Sequence, residues 1–160
     1  MFKYLLLLFF SSISFADNIS FQCKFEEVYD DGQVQQGLLL VSNGNLRYEY
    51  LDKNLYTLIY KKNNLYLIRN AQKNLYEKVQ KNSSLFNSIV KVFNDYPNFE
   101  SRYEESENVL ILEKSKNNNF VRRIGVSTSK LNLSIYLNDC ESKEINGKFF
   151  NFNPFFDLKI

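Results

Sequence analysis

Residues 37–50 read GLLLVSNGNLRYEY, two extended runs joined by a tight turn. The pair Asn43-Gly44 predicts a β-hairpin at this turn, because both residues accept positive φ angles at little cost. The extended run from Val34 to Val41 and the run from Leu46 to Tyr50 are typical of its two strands. Further extended runs follow at similar spacing, which indicates an antiparallel meander.

Strands are predicted on both sides of this hairpin. Before it, apolar and polar residues alternate from Ile19 to Phe25 with the period of a half-buried strand. After it come the runs Leu55–Tyr60, Leu65–Ile68, Leu75–Val79, Phe99–Tyr103, Val109–Glu113, Phe120–Ser127, Leu131–Leu137 and Lys148–Asn153, with a tail around Leu158. We therefore predict an α+β domain with a curved antiparallel sheet of about ten strands and one or two helices.

One segment interrupts the strand pattern. From Ser84 onward, apolar side chains recur at helical spacing, namely Leu85, Phe86, Ile89, Val90 and Phe93. This spacing predicts an amphipathic helix of about three turns, set between two runs of strands.

Several of the predicted strands are apolar on both faces. In Leu55–Tyr60, for example, Leu55 and Ile59 point one way, while Leu58 points the other. A half-exposed sheet needs only one apolar face, so the second face must be covered by the helix, by another sheet or by a ligand. The sequence leaves open whether the interior is a packed core or an apolar cavity with the helix as its lid.

Residues 1–16 have the features of a secretory signal peptide. Lys3 supplies the positive charge, Leu5–Phe10 begins a short apolar region, and Ser14-Phe15-Ala16 offers small residues for cleavage. We expect an exported, periplasmic protein whose single domain covers residues 17–160. Removal of the peptide leaves 19 basic and 18 acidic residues. This balance gives no electrostatic reason to expect nucleic acid as a partner.

The composition argues against most enzyme classes. The chain of 160 residues contains no histidine, five glycines and two cysteines. Nucleophile systems that use histidine are therefore excluded, as are zinc sites that need histidine or four cysteines. Phosphate-binding glycine motifs are also missing. We predict a protein that is not an enzyme and that uses no metal and no cofactor.

The two cysteines, Cys23 and Cys140, lie far apart in the sequence. In an oxidising compartment such a pair most often forms one disulfide, although two separate buried thiols are the alternative. A bridge would tie the first strand to a late segment of the chain.

Two stretches of the sequence resemble the LolA-like family of periplasmic outer-membrane lipoprotein carriers. The first is Gly37–Val41, a short turn, and then Leu46-Arg47-Tyr48-Glu49-Tyr50. The second is Phe150–Pro154, which matches the family's closing Phe-x-Phe-x-Pro element. In the family, an Arg-Pro pair stands where this chain has Ser42-Asn43, so the role of that arginine in holding the lid is not carried over.

The resemblance implies an incomplete β-barrel, or half-barrel, whose open side is covered by helices. Its apolar cavity would take the acyl chains of lipoproteins or other lipids. Cargo would come from an inner-membrane release complex and pass to an outer-membrane acceptor, with the carrier working as a monomer. The residues expected to line the cavity are Leu38, Leu40, Leu46, Tyr48, Tyr50, Phe86, Ile89, Val90, Phe93, Phe150 and Phe152.

Two other functions remain open at this stage. One is a non-carrier periplasmic interaction or sensor module with the same fold, which would have a filled core and an exposed apolar patch. The other is a hydrolase that uses carboxylates alone, suggested by Glu104, Glu105 and Glu107. We favour the carrier over both, because these glutamates fall in a polar turn and because the resemblance to lipoprotein carriers favours acyl binding over an interaction module.

Overall fold

Ten β-strands and one α-helix account for most of residues 19–80 and 84–151, the part of the chain that the computed structural model describes. The strands are β1 (Ser20–Tyr29), β2 (Val34–Ser42), β3 (Asn45–Tyr50), β4 (Tyr56–Lys61), β5 (Asn64–Arg69), β6 (Tyr76–Lys78), β7 (Arg102–Glu105), β8 (Asn108–Lys114), β9 (Val121–Ser127) and β10 (Asn132–Ser142). The helix α1 (Ser84–Asn94) lies between β6 and β7 in the sequence, and a 3-10 turn (Gly147–Phe150) follows β10.

The strands form one antiparallel sheet in the order β6-β5-β4-β3-β2-β1-β10-β9-β8-β7. The chain therefore builds one half of the sheet outward from β1 and then reaches the opposite edge after α1. It returns strand by strand until β10 pairs with β1 in the middle of the sheet, where Phe25 lies opposite Leu137. The predicted α+β fold, an open antiparallel sheet with a covering helix, is confirmed.

The hairpin predicted at residues 37–50 is formed by β2 and β3. Asn43 and Gly44 have φ angles of 49° and 74°, as this tight turn requires. Gly37 lies opposite Tyr50 at the far end of the hairpin. A Cβ atom at Gly37 would lie 2.1 Å from the Glu49 carbonyl oxygen and 2.2 Å from Cζ of Phe25, so only glycine fits there.

Both faces of the sheet are covered by apolar packing. On the face that carries α1, here called the helix face, Phe21, Cys23 and Phe25 of β1 pack with buried helix residues such as Phe93. On the opposite, outer face, a smaller buried cluster contains Leu38, Leu40, Ile59, Ile68, Ile145 and Phe150. The two-sided apolar strands in the sequence are thus explained by a second, smaller core on the outer face.

The last predicted strand, Lys148–Asn153, is wrong over its described part. Gly147–Phe150 forms a 3-10 turn, with the side chain of Asn146 accepting a hydrogen bond from the Lys148 amide at its start. Arg47 donates a hydrogen bond of 2.9 Å to the Phe149 carbonyl oxygen and holds this turn against β3. Phe152, the tail around Leu158 and the signal peptide at residues 1–16 lie outside the described residues.

The predicted disulfide between Cys23 and Cys140 is confirmed, with an S–S distance of 2.06 Å. It joins β1 to β10 where the register of the two strands shifts between Gln22 and Lys24. Among the described residues, no helix combines the length and the apolar character needed to cross a membrane.

Candidate functional site

A pocket lies between α1 and the sheet, and we call it the helix pocket. Its volume is about 120 Å³. It is lined by Leu46, Tyr48 and Tyr50 of β3, Leu58 of β4, Phe86, Ile89 and Phe93 of α1, Ile135 of β10 and Glu27 of β1. Such a mainly apolar lining with one group of polar atoms is typical of small-molecule sites.

Strand register and helical periodicity bring these side chains together. Leu46, Tyr48 and Tyr50 alternate on one face of β3, and Leu58 of β4 lies directly opposite Tyr48. Phe86, Ile89 and Phe93 are spaced by three and four residues, so they share one side of α1. The pocket is the gap that remains between these two apolar surfaces.

A buried carboxylate forms the polar end of the pocket. Glu27 is only 4% exposed and accepts hydrogen bonds from tyrosine hydroxyls on both of its oxygens. The Tyr48 hydroxyl donates to Oε1 at 2.8 Å, and the Tyr29 hydroxyl donates to Oε2 at 2.6 Å. The Tyr50 hydroxyl oxygen lies 2.9 Å from Oε2 and 3.1 Å from Oε1. These hydroxyls replace the water that a carboxylate loses on burial.

The environment keeps all of these hydroxyls protonated. Burial, together with hydrogen bonding to Glu27 and its charge, raises the pKa of Tyr29 to about 12. Burial and the Glu27 charge also raise the pKa of Tyr48 and of Tyr50 well above the ordinary value. Tyr29, Tyr48 and Tyr50 are therefore neutral hydrogen-bond donors to Glu27 over the whole physiological pH range.

Ring contacts fix the orientation of the donors. Phe25 stacks on Tyr48 with a centroid distance of 3.8 Å and an interplanar angle of 13°. Tyr50 meets the edge of this stack, with its centroid 5.4 Å from that of Phe25 and 5.5 Å from that of Tyr48. Since Gly37 leaves the space that the Phe25 ring occupies, the glycine indirectly sets the position of the Tyr48 hydroxyl.

The helix is attached differently on its two sides. Toward β7 and β8 it makes polar contacts: Ser88 donates to Glu105 at 2.9 Å, and Tyr103 donates to Asp95, just beyond the helix, at 3.0 Å. Toward β4, the contact is between aromatic rings, with the centroids of Phe86 and Tyr60 5.9 Å apart.

The structure does not bring all of the predicted cavity residues together. Leu46, Tyr48, Tyr50, Phe86, Ile89 and Phe93 line the helix pocket together. Val90 is buried in the core beside the pocket without lining it. Phe152 lies outside the described residues.

The placement of Leu38, Leu40 and Phe150 differs from the prediction. Leu39 of β2 pairs with Tyr48, so Leu38 and Leu40 must point to the outer face, away from the pocket. Phe150 belongs to the 3-10 turn and is buried on that same outer face. The structure therefore places Leu38, Leu40 and Phe150 on the face of the sheet opposite the helix pocket.

Sequence reasoning missed Glu27, Leu58 and Ile135. A signal for Glu27 was present, because it continues the alternation of Phe21, Cys23 and Phe25 on β1. By period alone, a glutamate at this position belongs on the buried face. The candidate hydrolase residues Glu104 and Glu105 lie on β7, where Glu104 pairs with Arg102 and Glu105 accepts from Ser88.

A second cavity of about 500 Å³ lies on the outer face. Leu38, Leu40, Ile145 and Phe149 line it together with charged side chains, namely Lys24, Asp139, Glu141, Lys143 and Glu144. Lys24 pairs with Asp139 and Lys143 with Glu141, each at 3.0 Å. An apolar ligand would have to desolvate these exposed ion pairs, so this groove is the poorer apolar site despite its size.

No protein-family model and no curated protein matches the sequence. A solved structure of a LolA superfamily protein from Nitrosomonas europaea is similar, with a TM-score of 0.51 over 84% of this chain and 91% of that chain. The chain has a LolA-like fold. At 8% sequence identity the likeness concerns the fold alone. Within this LolA-like fold, the helix pocket occupies the space between the open sheet and its covering helix.

Proposed function

We propose that this protein is a periplasmic carrier that binds the acyl chains of lipoproteins beneath α1 and shuttles them from the inner to the outer membrane. The observation that carries the proposal is an apolar pocket between the helix and the sheet of a LolA-like fold. Exposure of an acyl chain to water costs about 0.8 kcal/mol per CH2, so a shuttle must cover the chain in transit. Burial by itself performs this work, and no catalytic step is required.

The pocket must enlarge to accept a full chain. Its volume of about 120 Å³ has room for only a few methylene groups. The polar contacts of α1 lie on its β7 and β8 side, whereas apolar ring contacts face β4. We infer that the helix swings outward about its β7 and β8 side and that acyl methylenes replace the contacts made by Phe86.

The proposal implies particular partners. An exported carrier would receive acylated lipoproteins or lipids from an inner-membrane release complex and deliver them to an outer-membrane acceptor. It would act as a monomer, since one copy supplies both the sheet and the helix that enclose the cargo. Cell fractionation tests the periplasmic location, and light scattering of the purified chain tests the oligomeric state.

A second candidate is a non-carrier interaction or sensor module with the same fold. It is favoured by the small volume of the helix pocket and by exposed apolar side chains near the β6 edge of the sheet. Leu75 and Tyr76 are 49% and 56% exposed, and both line a shallow depression together with Tyr56. A protein partner could cover such a patch.

Acyl binding separates the two candidates. The experiment measures binding of an uncharged fluorescent fatty-acid ester to residues 17–160, together with native mass spectrometry of protein purified gently from the periplasm. A carrier gives saturable binding, and Ile89→Trp, which fills the helix pocket, abolishes it. Ile111→Trp is the matched control, because Ile111 is 47% exposed on β8. If the folded protein binds no acyl probe, or if the Ile89 variant binds normally, the carrier proposal fails.

A further inference from the structure

Glu27 gives the helix pocket a polar end of defined chemistry. Its carboxylate lines the pocket along with the rings of Tyr48 and Tyr50, while the remaining lining residues are apolar. A ligand whose chain lies along Leu46 and Leu58 would therefore meet Glu27 with one of its ends.

The charge of Glu27 has no cationic partner among the ion pairs and hydrogen bonds of residues 19–80 and 84–151. The buried arginine of β3, Arg47, lies on the outer face and pairs with Glu49 at 2.6 Å. Tyrosine hydroxyls alone compensate the carboxylate. One negative charge is consequently held in a site with little water, where its attraction for a cation is strong.

The hydroxyls leave the site rich in acceptors and poor in donors. Tyr29, Tyr48 and Tyr50 each direct their single hydroxyl proton at Glu27. The oxygen lone pairs of these hydroxyls remain as acceptors, as does any unfilled position on the carboxylate. A head group that accepts hydrogen bonds finds no free donor here, and an anionic head is repelled by Glu27.

We propose that Glu27, with Tyr48 and Tyr50, binds an N–H-donating head group of an amphiphile, most strongly a primary ammonium, while the chain occupies the helix pocket. The inference rests on the proposed function, because the alkyl chain of the amphiphile would occupy the same helix pocket as the acyl chain of the cargo. It adds a selectivity that apolar packing does not supply: between chains of equal length, the site prefers a cationic head and rejects a carboxylate.

The test compares dodecylammonium, dodecanol and dodecanoate, each below the concentration at which it forms micelles. Binding to residues 17–160 is measured by calorimetry. We expect dodecylammonium to bind at least about tenfold more tightly than dodecanoate, the size of one charge-assisted hydrogen bond. Glu27→Gln should remove most of this difference. Glu26→Gln is the matched control, since Glu26 is the next residue of β1, points to the outer face and accepts from Gln36 at 2.8 Å.

The outcomes distinguish this inference from the carrier proposal. If none of the three dodecyl ligands binds, both the head-group inference and the carrier proposal fail. If all of them bind equally to the wild-type protein, the carrier proposal stands and the head-group inference is overturned. If the preference for ammonium survives in a folded Glu27→Gln variant, the selectivity does not come from Glu27.

A measurement on the wild-type protein removes the dependence on a variant that does not fold. The carboxyl carbon of Glu27 is observed by NMR in protein labelled with 13C-glutamate. Dodecylammonium should shift this resonance, whereas dodecanol should leave it nearly unchanged. An unmoved Glu27 resonance at saturating dodecylammonium would contradict direct binding of the head group.

Discussion

The ring of Phe25 stacks on that of Tyr48 at a centroid distance of 3.8 Å, and this stack holds the Tyr48 hydroxyl 2.8 Å from Glu27. The stacking contact between the two rings therefore positions the Tyr48 hydroxyl to donate to Glu27. The two rings come from β1 and β3, which are separated by β2, where Gly37 lies opposite Phe25 on one side and Tyr50 on the other. The geometry of the polar cluster depends on this three-strand arrangement.

Replacement of Gly37 by alanine should destabilise the fold by about 1–3 kcal/mol, as overpacking of a tight site does. The new methyl group would lie 2.2 Å from Cζ of Phe25 and would push the ring away from Tyr48. Urea denaturation measures the loss. Gly147→Ala is the control, since a Cβ there meets nothing within 4 Å. Equal stability of the two variants would contradict the close approach at Gly37.

Tyr48→Phe should lower the free energy of unfolding by about 1.5–3 kcal/mol, because it removes a buried hydrogen bond to a charged group. The ring stack with Phe25 is retained, so the change reports on the hydroxyl alone. Tyr56→Phe is the control, with Tyr56 37% exposed on β4. Equilibrium denaturation of both variants gives the comparison. A loss no larger than that of the control would mean that Glu27 finds a substitute donor.

Stability should fall at alkaline pH as a result of the tyrosine cluster. The pKa of Tyr29 is about 12 in the folded protein against 10.0 for an ordinary tyrosine. Below about pH 10 the hydroxyl is protonated in both states, so its full contribution is present. Between these values the unfolded state releases the proton first, and stability declines as the pH rises.

Urea denaturation as a function of pH, from 8 to 12, measures this decline. Lysines also titrate in that range, so the useful quantity is the difference between the wild-type protein and Tyr29→Phe. We expect the wild-type curve to fall more steeply above about pH 10. Parallel curves would show that Tyr29 does not retain its proton on folding.

Reduction of the Cys23–Cys140 disulfide should destabilise the protein by about 3–5 kcal/mol in the chain-entropy model. The bridge spans 117 residues and so restricts nearly the whole described chain. Denaturation with and without a reductant measures the loss of free energy of unfolding. The Cys140→Ala variant should have the same stability as the reduced protein. An unchanged midpoint would show that the pairing of β1 with β10 holds without the bridge.

Ser88→Ala should loosen α1 without unfolding the sheet. Ser88 is 6% exposed and donates to Glu105 at 2.9 Å, which ties the helix to β7. Hydrogen exchange should become faster in residues 84–94 and stay unchanged in β1 and β10. Asn87→Ala, a change on the exposed side of the same helix, is the control. Equal hydrogen exchange rates in both variants would show that Ser88 does not help to hold the helix on β7.

The sequence by itself determined the element types, the meander and the central hairpin. Alternation with period two and Asn43-Gly44 specify β2 and β3, and the spacing of Phe86, Ile89 and Phe93 specifies α1, because these signals depend on neighbours along the chain. The disulfide could also be predicted, since the export expected from residues 1–16 would make pairing of the two cysteines the favoured state.

The tertiary structure decided whether each side chain lies on the helix face or on the outer face of the sheet. Alternation places Leu38 with Leu40, but in the all-apolar run Leu38–Val41 it does not say which pair meets the helix. The pairing of Leu39 with Tyr48 settles this point, and the bond from Arg47 to Phe149 turns the C-terminal run into a 3-10 turn. Glu27 acquires Tyr48 and Tyr50 as donors only when β1 and β3 lie on either side of β2. Contacts between strands depend on register across the sheet, a property that no single segment contains.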